Sequence, residues 1–558
     1  THDTHFTYGG KADISYSICA LRNMPYAGLV RVEVAALEDM YLSVENPIEV
    51  PDEYKNSGSK QVSVNVDGNE LKIVRTWALS KYREQKVSAS SAFIYNKNPN
   101  LQQQYDGTNR IAISLKKGEK FSFALLGSVC TGRDFIDPYN ESDREVIYGA
   151  KEGLNRLMDG HRKLWNELWE GDIMIEGDDE AQRAVRFALY NLYSNARKGS
   201  RLSISPFGLS AQGYNGHIFW DTEFWMYPPM LFMNQDIART MMDYRTDRLE
   251  AACQRALSYG YEGAMFPWES DDAGEESCPT WALTGAFEHH ITADIAIAAW
   301  NYYCMSGDKR WLREEGFPLM EKVAEFWVSR VEKNNEDGSY SIRNVVCADE
   351  YAEGVDDNAF TNGAAMRALQ DAAKAAAVCG VKAPAIWKEI ASKLRIPKFE
   401  NGVTMEYEGY NGQTIKQADA NLLVYPLNLI TRPEEIRKDL EYYEDKIDKT
   451  GPAMSFSVLA LQYARLGEGD KAYELFVQSF RPNQLPPFGV ISEGAGGTNP
   501  YFVTGAGGLL QTVINGFCGL EVTDNGIKQL FSKLPKHWKK LTITGVGPDR
   551  KTYVRMQK

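Results

Sequence analysis

Short stretches of alternating hydrophobic and polar residues fill the first part of the chain. The clearest are Gln61–Val66, Leu71–Trp77, Lys86–Tyr95, Arg110–Leu115 and Phe121–Val129. Turn-forming sequences rich in glycine, asparagine and aspartate separate them. A period of two residues is typical of strands that bury one face. We therefore predict an N-terminal antiparallel β-sandwich over residues 1–145.

Near residue 145 the hydrophobic period changes from two residues to 3.6, which is typical of helices. Leucine and tryptophan side chains recur at helical spacing over Tyr148–Trp169, which predicts one helix within a helical linker over residues 146–172. Further helices are predicted at about 178–197, 235–259, 281–306, 309–333, 361–379, 384–394, 416–430, 433–446, 453–466, 469–480 and 505–517.

Helices that alternate with long loops predict paired helices closing into a toroidal catalytic domain over residues 173–518. A stacked superhelix of helix pairs is the alternative. Short β-like stretches return at Leu541–Val546 and Thr552–Met556. They predict a small C-terminal β-domain over residues 519–558, so the fold class is multidomain and mainly α.

Composition narrows the classes of partner. With 62 basic and 75 acidic residues, the net charge of −13 disfavours a nucleic-acid partner, because an acidic surface repels phosphate. No apolar stretch reaches the roughly 18 residues of a membrane span. The eight cysteines are scattered without zinc-ligand spacing, which predicts buried free thiols and neither a metal nor a cofactor.

The compartment and the oligomeric state stay open at this point. The chain begins with Thr1 rather than methionine. A processed form that is periplasmic or otherwise exported is one interpretation, and a cytoplasmic protein is the other. A monomer and a homodimer are both compatible with the sequence.

Two loop segments place an aromatic ring directly beside a carboxylate. Trp220 and Asp221 lie within the segment Gly213–Trp225, and Trp268 and Glu269 lie next to each other in a second loop. Sugars present apolar C–H faces edged with hydroxyls, so a sugar site needs aromatic platforms and directed polar groups. The alternative is an aromatic core with solvated acids on a loop.

Two further loops carry candidate acids and bases. The segment Cys347–Asn362 crowds five carboxylates, and crowding raises carboxyl pKa values, which suits a general acid. Calcium binding is the alternative, but the spacing of an EF-hand is missing. In the glycine-rich loop Phe488–Gly508, Glu493 is either a base or a solvated glutamate. No strand of a βαβ unit precedes this loop, so it is not a dinucleotide motif.

Other polar residues receive a structural interpretation. Lys416 and Gln417 lie at the start of a predicted helix, where an exposed first turn would explain them equally well. His217 and the adjacent pair His289 and His290 are predicted to be core or loop histidines rather than metal ligands.

Together these motifs resemble glycoside hydrolase family 65. The residues that carry the resemblance are Gly213–Glu223, Phe266–Ser270, Asp349–Tyr351, Val355–Asn362, Lys416–Asp419 and Gly496–Gly508. That family contains maltose, trehalose and kojibiose phosphorylases, acid trehalases, kojibiose hydrolases and the glucosidase that acts on glucosyl-galactosyl-hydroxylysine. The resemblance implies a β-sandwich, a helical linker, an (α/α)6 barrel and a small C-terminal β-domain.

The resemblance also implies the roles of the site residues. Glu350 matches the general acid, and the terminal glucose at subsite −1 is expected to contact Trp220, Asp221, Trp268, Glu269, Lys416 and Gln417. Phosphorylases of the family hold phosphate with a loop containing serine and histidine, but Phe456 stands where the histidine is expected. In the hydrolases a carboxylate activates water, and Glu493 lies where that base is expected. Phe207, in Ser203–Gly208, also resembles the hydrolases.

The sequence therefore predicts an inverting, exo-acting α-glucoside hydrolase that releases β-glucose from the non-reducing end of a small α-linked glucoside. A kojibiose-type α-1,2 linkage or a glucosyl-galactose is favoured. An inverting disaccharide phosphorylase is the alternative, although a carboxylate facing the anomeric carbon would repel phosphate. A non-catalytic carbohydrate-binding protein is the third reading. Inversion requires the Glu350 and Glu493 carboxyls to lie about 6.5–9.5 Å apart.

Overall fold

The chain divides into two structural units, Thr1–Trp169 and Glu170–Lys558. The computed structural model describes residues 2–81, 83–96, 98–208 and 213–557. Among these residues, no helix combines the length and the hydropathy needed to cross a membrane.

Antiparallel strands make up most of the first unit, which confirms the β character predicted from the alternating pattern. One sheet has seven strands in the order β1-β2-β3-β10-β7-β6-β5, and the other has three in the order β4-β9-β8. The strands are β1 His2–Tyr8, β2 Ala12–Ala20, β3 Ala27–Ala36, β4 Met40–Asn46, β5 Lys55–Val66, β6 Asn69–Leu79, β7 Lys86–Tyr95, β8 Gln102–Tyr105, β9 Asn109–Leu115 and β10 Lys120–Thr131.

Each face of the seven-stranded sheet is covered. On one face, Phe93 and Phe121 share a buried cluster with Ile111 and Ile113 of the smaller sheet. On the other face, the sheet packs against two helices, α1 Pro138–Glu152 and α2 Leu154–Leu168. Burial of both faces explains why the strands alternate less strictly than strands with one solvated face.

The single helix predicted over Tyr148–Trp169 is wrong, because the segment forms parts of two helices. They are separated at Gly153, whose φ of 87° is a left-handed value that a helix interior does not contain. The first helix begins upstream, where Pro138 occupies the first turn and the Asp137 side chain accepts a hydrogen bond from the Asn140 N–H.

Helices dominate the second unit, as predicted. They are α3 Asp179–Asn195, α4 Tyr227–Met233, α5 Gln235–Thr246, α6 Leu249–Ser258, α7 Thr284–Phe287, α8 His290–Ser306, α9 Lys309–Trp311, α10 Phe317–Arg330, α11 Ala359–Cys379, α12 Ala385–Lys393, α13 Pro433–Tyr443, α14 Met454–Arg465, α15 Gly469–Gln478 and α16 Val503–Gln511. Short 3-10 or π-helical turns lie at Gly213–Gly216, Thr222–Met226, Leu312–Gly316, Ala420–Leu423, Arg481–Asn483 and Thr512–Phe517.

Several helices are buried on nearly every side. In α8, α14 and α16 most positions are inaccessible to solvent, and α8 packs against α11 while α14 packs against α16. Helices that are hydrophobic all round form the interior of a helical domain. The more amphipathic α6, α13 and α15 bury a narrower face.

Three further helix predictions are wrong in their extent. The apolar residues in 416–430 form only the turn Ala420–Leu423, because that segment is buried on all sides rather than on one face, and Pro426 lacks an N–H donor. The helices predicted over 235–259 and 281–306 are each two helices, α5 with α6 and α7 with α8, and α4 was not predicted at all.

Strands at the end of the chain confirm the predicted return to β structure. The strand Lys540–Val546 also pairs with Ile173–Glu176, which precedes the helices of the second unit. The boundaries of the four predicted domains stay a prediction. The strands are β11 Ile173–Glu176, β12 Glu332–Lys333, β13 Tyr340–Ser341, β14 Gln484–Leu485, β15 Val490–Ile491, β16 Leu520–Thr523, β17 Gly526–Gln529, β18 Lys540–Val546 and β19 Lys551–Met556.

Candidate active site

One pocket of about 430 Å³ gathers residues from loops that lie far apart in sequence. Of the residues singled out in the sequence, those on its wall are Trp220, Asp221, Trp268, Glu350, Lys416, Gln417 and Glu493. The others are Pro206, Tyr214, Phe219, Pro452, Met454 and Phe502. Loop residues converging on a pocket are typical of a binding or catalytic site.

The two tryptophans form one side of the pocket. Their ring centroids lie 6.5 Å apart with an interplanar angle of 29°, and Phe219 contacts Trp268 edge-on at 5.9 Å. The two segments are joined by backbone hydrogen bonds of 2.9 Å in both directions between Ile218 and Ser270. This bridge explains why two distant aromatic–acid pairs lie side by side. We name Trp220 and Trp268 the aromatic wall.

Asp221 begins the turn of π-helix at Thr222–Met226, and such turns are frequent at functional sites. The side chain is buried, and burial raises its pKa well above the ordinary value. The negative charges of Glu493 and Glu350 raise this pKa further. A carboxyl that tends to keep its proton can donate a hydrogen bond to a sugar oxygen.

Glu350 lies beside a cation. Its Oε1 is 3.0 Å from the Nζ of Lys416, and about a quarter of each side chain is exposed. Burial lowers the pKa of Lys416, but the charge and the hydrogen bond of Glu350 outweigh it, so this pKa is raised. The Lys416 ammonium is therefore a fixed positive charge on the pocket wall.

The Glu350 loop is held from behind. The Asp349 carboxylate accepts hydrogen bonds from the backbone N–H groups of Lys416 at 2.5 Å and Tyr351 at 3.3 Å. Gln417 donates its side-chain amide to the Ala348 carbonyl. Lys416 and Gln417 thus line the pocket and also bind the loop that carries Glu350.

Glu493 lies between β15 and α16 and is held by a neutral donor. The Tyr214 hydroxyl donates to Glu493 Oε1 at 2.9 Å, and the Asn483 amide donates to the Glu493 carbonyl at 2.9 Å. Burial raises the pKa of Glu493 although the Tyr214 hydrogen bond and the Lys416 charge lower it. A carboxylate with a raised pKa is a stronger base, which suits general-base chemistry.

A close approach of two loops explains one glycine beside Glu493. A Cβ on Gly494 would lie 2.7 Å from the Thr450 carbonyl oxygen. The backbone of the glycine-rich loop therefore passes directly beside the segment that leads to Pro452, which also lines the pocket.

Glu269 is the predicted site residue that the pocket wall does not include. Its carboxylate is buried, with Oε1 2.7 Å from His217 Nδ1. Its backbone N–H donates to Glu276 at 2.9 Å. Glu269 is therefore paired with His217, which is a loop histidine as predicted.

Tyr214 is the contact that sequence reasoning missed. It lies within the first aromatic–acid segment, in a turn where its own φ is 53°. Its ring stacks on Phe207 at 5.6 Å with an interplanar angle of 26°, so Phe207 supports the donor to Glu493. Phe456 lies buried on α14 and is not part of the pocket wall.

The remaining acidic and metal-binding candidates have structural partners. Asp356 pairs with Arg343 at 3.0 Å, and Asp357 accepts the Ser341 hydroxyl at 3.0 Å, which accounts for much of the acidic run. His290 lies between Glu288 and Asp294 in the core, as predicted. All eight cysteines are free thiols, and they are buried or half-buried.

The chain is similar to known proteins over nearly its whole length. The profile of the glycosyl hydrolase family 65 central catalytic domain matches residues 186–414. A kojibiose hydrolase of Flavobacterium johnsoniae is 49% identical over 98% of this chain and 82% of that protein. A kojibiose hydrolase of Mucilaginibacter mallensis is 46% identical over 99% and 83% of the two chains.

A less similar glucosidase and a solved structure also match the chain. A protein-glucosylgalactosylhydroxylysine glucosidase of Dictyostelium discoideum is 37% identical over 78% of this chain and 62% of its own length. A solved structure of a putative kojibiose phosphorylase from the human microbiome has a TM-score of 0.80 at 17% identity, covering 98% and 77% of the two chains. That likeness shows the fold alone. From the identity and coverage of its hydrolase relatives, the chain belongs to glycoside hydrolase family 65.

Proposed function

We propose that this glycoside hydrolase is an inverting, exo-acting α-glucosidase that releases β-glucose from the non-reducing end of a small α-linked glucoside. The observation that carries the proposal is that Glu350 and Glu493 line the same pocket as the aromatic wall. Most glycoside hydrolases use a pair of carboxyl groups that flank the bound sugar.

In the proposed reaction, Glu350 donates a proton to the glycosidic oxygen as the bond from that oxygen to the anomeric carbon breaks. A water molecule attacks the anomeric carbon from the opposite face and gives its proton to Glu493. Because attack and departure are on opposite faces, an α-glucoside yields β-glucose. Tyr214 fixes the orientation of the Glu493 carboxylate through its hydroxyl.

The terminal glucose is proposed to lie against the aromatic wall at subsite −1. Asp221, Lys416 and Gln417 would bind its hydroxyls, and Glu269, which is paired with His217, would support this site from the position next to Trp268. The Lys416 ammonium would then lie beside both the bound glucose and Glu350, whose Oε1 is 3.0 Å from its Nζ.

The linkage is proposed to be of the kojibiose type, α-1,2, with a glucosyl-galactose as the second choice. Two relatives, 49% and 46% identical, are named as kojibiose hydrolases, and one that is 37% identical is named as a glucosidase of glucosylgalactosylhydroxylysine. A relative named as a kojibiose phosphorylase, from Thermoanaerobacter brockii, is only 32% identical. This ordering supports the choice of hydrolysis over phosphorolysis.

The helical unit is proposed to be an (α/α)6 barrel over residues 173–518, with a β-sandwich over 1–145, a linker over 146–172 and a β-domain over 519–558. Support comes from the buried helices α11, α14 and α16, because pocket residues lie in the loops that precede them. Glu350 precedes α11, Pro452 precedes α14 and Glu493 precedes α16.

Phosphate dependence tests the hydrolase proposal against the phosphorylase alternative. Kojibiose is incubated with the enzyme in phosphate-free buffer and in buffer with inorganic phosphate, and the products are separated by ion-exchange chromatography. We expect equal glucose release in both, because the negative Glu493 carboxylate repels phosphate. Strict dependence on phosphate, with glucose 1-phosphate as a product, would overturn the proposal.

A further inference from the structure

Behind the Glu350 loop lies a group of three buried acids that the proposed reaction does not use. We name Asp349, Glu406 and Asp419 the buried acid cluster; their exposed fractions are 2%, 0% and 0%. Within the described chain, none of the three makes an ion pair with a basic side chain. Three ionised carboxylates in one dry space without a cation would be strongly unfavourable, so the cluster must hold at least one proton.

Hydrogen-bond donors are divided unequally among the three acids. Asp349 accepts the backbone N–H groups of Lys416 and Tyr351. Asp419 accepts the Asn358 side-chain amide at 3.0 Å. These donors favour the ionised form of the carboxyl that receives them.

Glu406 receives no such donor. Neither of its carboxyl oxygens is bonded to an N–H or hydroxyl group of the described residues. Its carboxyl instead meets that of Asp349 in a side-chain hydrogen bond, which adds to the raised pKa of Glu406. Burial raises the pKa of Asp349 as well, but there the same hydrogen bond opposes the rise. That contact is a hydrogen bond only if one of the two acids is protonated, and the donor inventory identifies Glu406 as the protonated one.

The backbone of Glu406 is fixed independently of its side chain. The Glu406 carbonyl accepts the Ala359 N–H at 2.7 Å and the Asn358 side-chain amide at 3.0 Å, at the beginning of α11. From this rigid point the protonated Glu406 carboxyl can donate to the Asp349 carboxylate. That carboxylate in turn binds the two segments that carry Glu350 and Lys416.

We propose that Glu406 is a positioning residue that stays protonated and donates a hydrogen bond to Asp349. Asp349 then holds the Glu350 loop and the Lys416 backbone in the positions that the reaction requires. The inference rests on the proposed function for the roles of Glu350 and Lys416. Burial, followed by the charges of Asp419 and Asp349, raises the pKa of Glu406 well above its ordinary value, in agreement with a neutral acid at neutral pH.

A metal ion is the competing interpretation of the same place. Ligand atoms of Cys347, Glu406 and Asp419 lie within 4.8 Å of one another. Burial and the neighbouring carboxylates raise the pKa of the Cys347 thiol well above its ordinary value, which disfavours the thiolate that a metal requires. A metal would also require Glu406 to be ionised. The two interpretations therefore make opposite predictions for a neutral replacement.

Glu406→Gln and Glu406→Leu separate the possibilities when kcat, KM and the pH profile are measured on kojibiose. Glutamine is neutral and keeps an N–H donor for Asp349, so we expect kcat within about threefold of wild type. Leucine fills the space without a donor, and a misplaced Glu350 should reduce kcat about tenfold or more. We also expect the leucine variant to shift the pKa that defines one limb of the pH profile of kcat/KM. Equal loss in both variants would overturn the proposal.

Asp371→Asn is the matched control for simple destabilisation. Asp371 is also fully buried, but its carboxylate is paired with Arg367 at 2.7 Å and Lys374 at 3.0 Å. We expect a lower melting temperature and an unchanged pH profile. If this variant shifts the pH profile as Glu406→Leu does, the effect of Glu406 is structural and the proposal fails.

Neutron diffraction from a deuterated crystal of the full chain at neutral pH tests the proton directly and needs no substrate. We expect a deuteron between Glu406 and Asp349, bonded to Glu406, and elemental analysis without bound metal. Deuteron-free Glu406 oxygens, or a metal ion between Cys347, Glu406 and Asp419, would contradict the proposal. If the deuteron is present but kojibiose is not cleaved, the proposed function fails while the charge state of Glu406 stands.

Discussion

Glu350 and Glu493 line the same pocket in different electrostatic surroundings. Glu350 faces the Lys416 ammonium at 3.0 Å, on a loop bound from behind by Asp349. Glu493 faces the neutral Tyr214 hydroxyl at 2.9 Å, on a loop whose glycine passes against another backbone. Lys416 is a charged donor to Glu350, whereas Tyr214 is a neutral donor to Glu493. Two carboxyls on one pocket wall therefore have different neighbours, and the proposed roles of acid and base depend on that difference.

The largest expected effect comes from removing either carboxylate. Glu350→Gln and Glu493→Gln should each reduce kcat on kojibiose about a hundredfold or more, because proton transfer is lost. Steady-state kinetics of glucose release, with circular dichroism to verify folding, measures this. Loss of less than about tenfold in either variant would remove that residue from the reaction.

The leaving group distinguishes the acid from the base. Fluoride departs without needing a proton, so α-glucosyl fluoride should restore most of the activity of Glu350→Gln but none of that of Glu493→Gln. The ratio of kcat/KM for fluoride to kcat/KM for kojibiose, compared among the wild type and the two variants, measures the difference. Recovery in Glu493→Gln alone would exchange the two roles.

A smaller effect is expected from Tyr214→Phe. Its hydroxyl lowers the pKa of Glu493, so the variant should raise that pKa and move the acid limb of kcat/KM to higher pH. The lost hydrogen bond to a carboxylate should also reduce kcat about tenfold. Tyr473→Phe is the control, since its hydroxyl binds Asp178 at 2.7 Å away from the pocket wall. An unmoved acid limb in Tyr214→Phe would count against Glu493 as the base.

The pH profile of the wild-type enzyme tests the same difference between Glu350 and Glu493. Because Glu493 must be ionised to accept a proton and burial raises its pKa, kcat/KM should fall with decreasing pH at a pKa above the ordinary value of about 4.3. Measurement of kcat/KM across the acid range gives this limb. An acid limb below the ordinary value would mean that another group acts as the base.

The smallest expected effect comes from Trp268→Phe in the aromatic wall. A smaller ring keeps the apolar face but loses contact area with the sugar and with Trp220, so KM should rise about threefold while kcat changes little. Trp281→Phe is the control, because Trp281 is 84% exposed and is not on the pocket wall. Equal KM values for the two variants would argue against a sugar on Trp268.

Much of the site could be predicted from sequence because its residues lie in short motifs with unusual composition. Trp220, Asp221 and Glu350 occur in loops, where packing explains aromatic and acidic residues less readily than in helices. The same reasoning predicted that Glu269 contacts the glucose, but its carboxylate is bound to His217 and the pocket wall does not include it. Adjacency in sequence does not tell which of two neighbouring side chains faces the pocket.

What could not be predicted depends on contacts made through space. Tyr214 binds Glu493 across 279 positions of sequence, and no local pattern marks that pair. The segment 416–430 looks helical because it is apolar, but full burial and the bond from the Lys416 N–H to Asp349 hold it in an irregular path. Periodicity identifies elements that bury one face, and it fails where a loop is buried on all sides.

Anomer-resolved NMR of the first turnovers on kojibiose tests the central claim most directly. The enzyme is mixed with kojibiose in phosphate-free buffer, and the anomeric proton signals are followed before mutarotation mixes the products. Attack of water activated by Glu493 predicts that the glucose from the non-reducing end appears first as the β-anomer. Initial release of that glucose as the α-anomer would contradict an inverting reaction with Glu350 and Glu493 on opposite faces of the sugar.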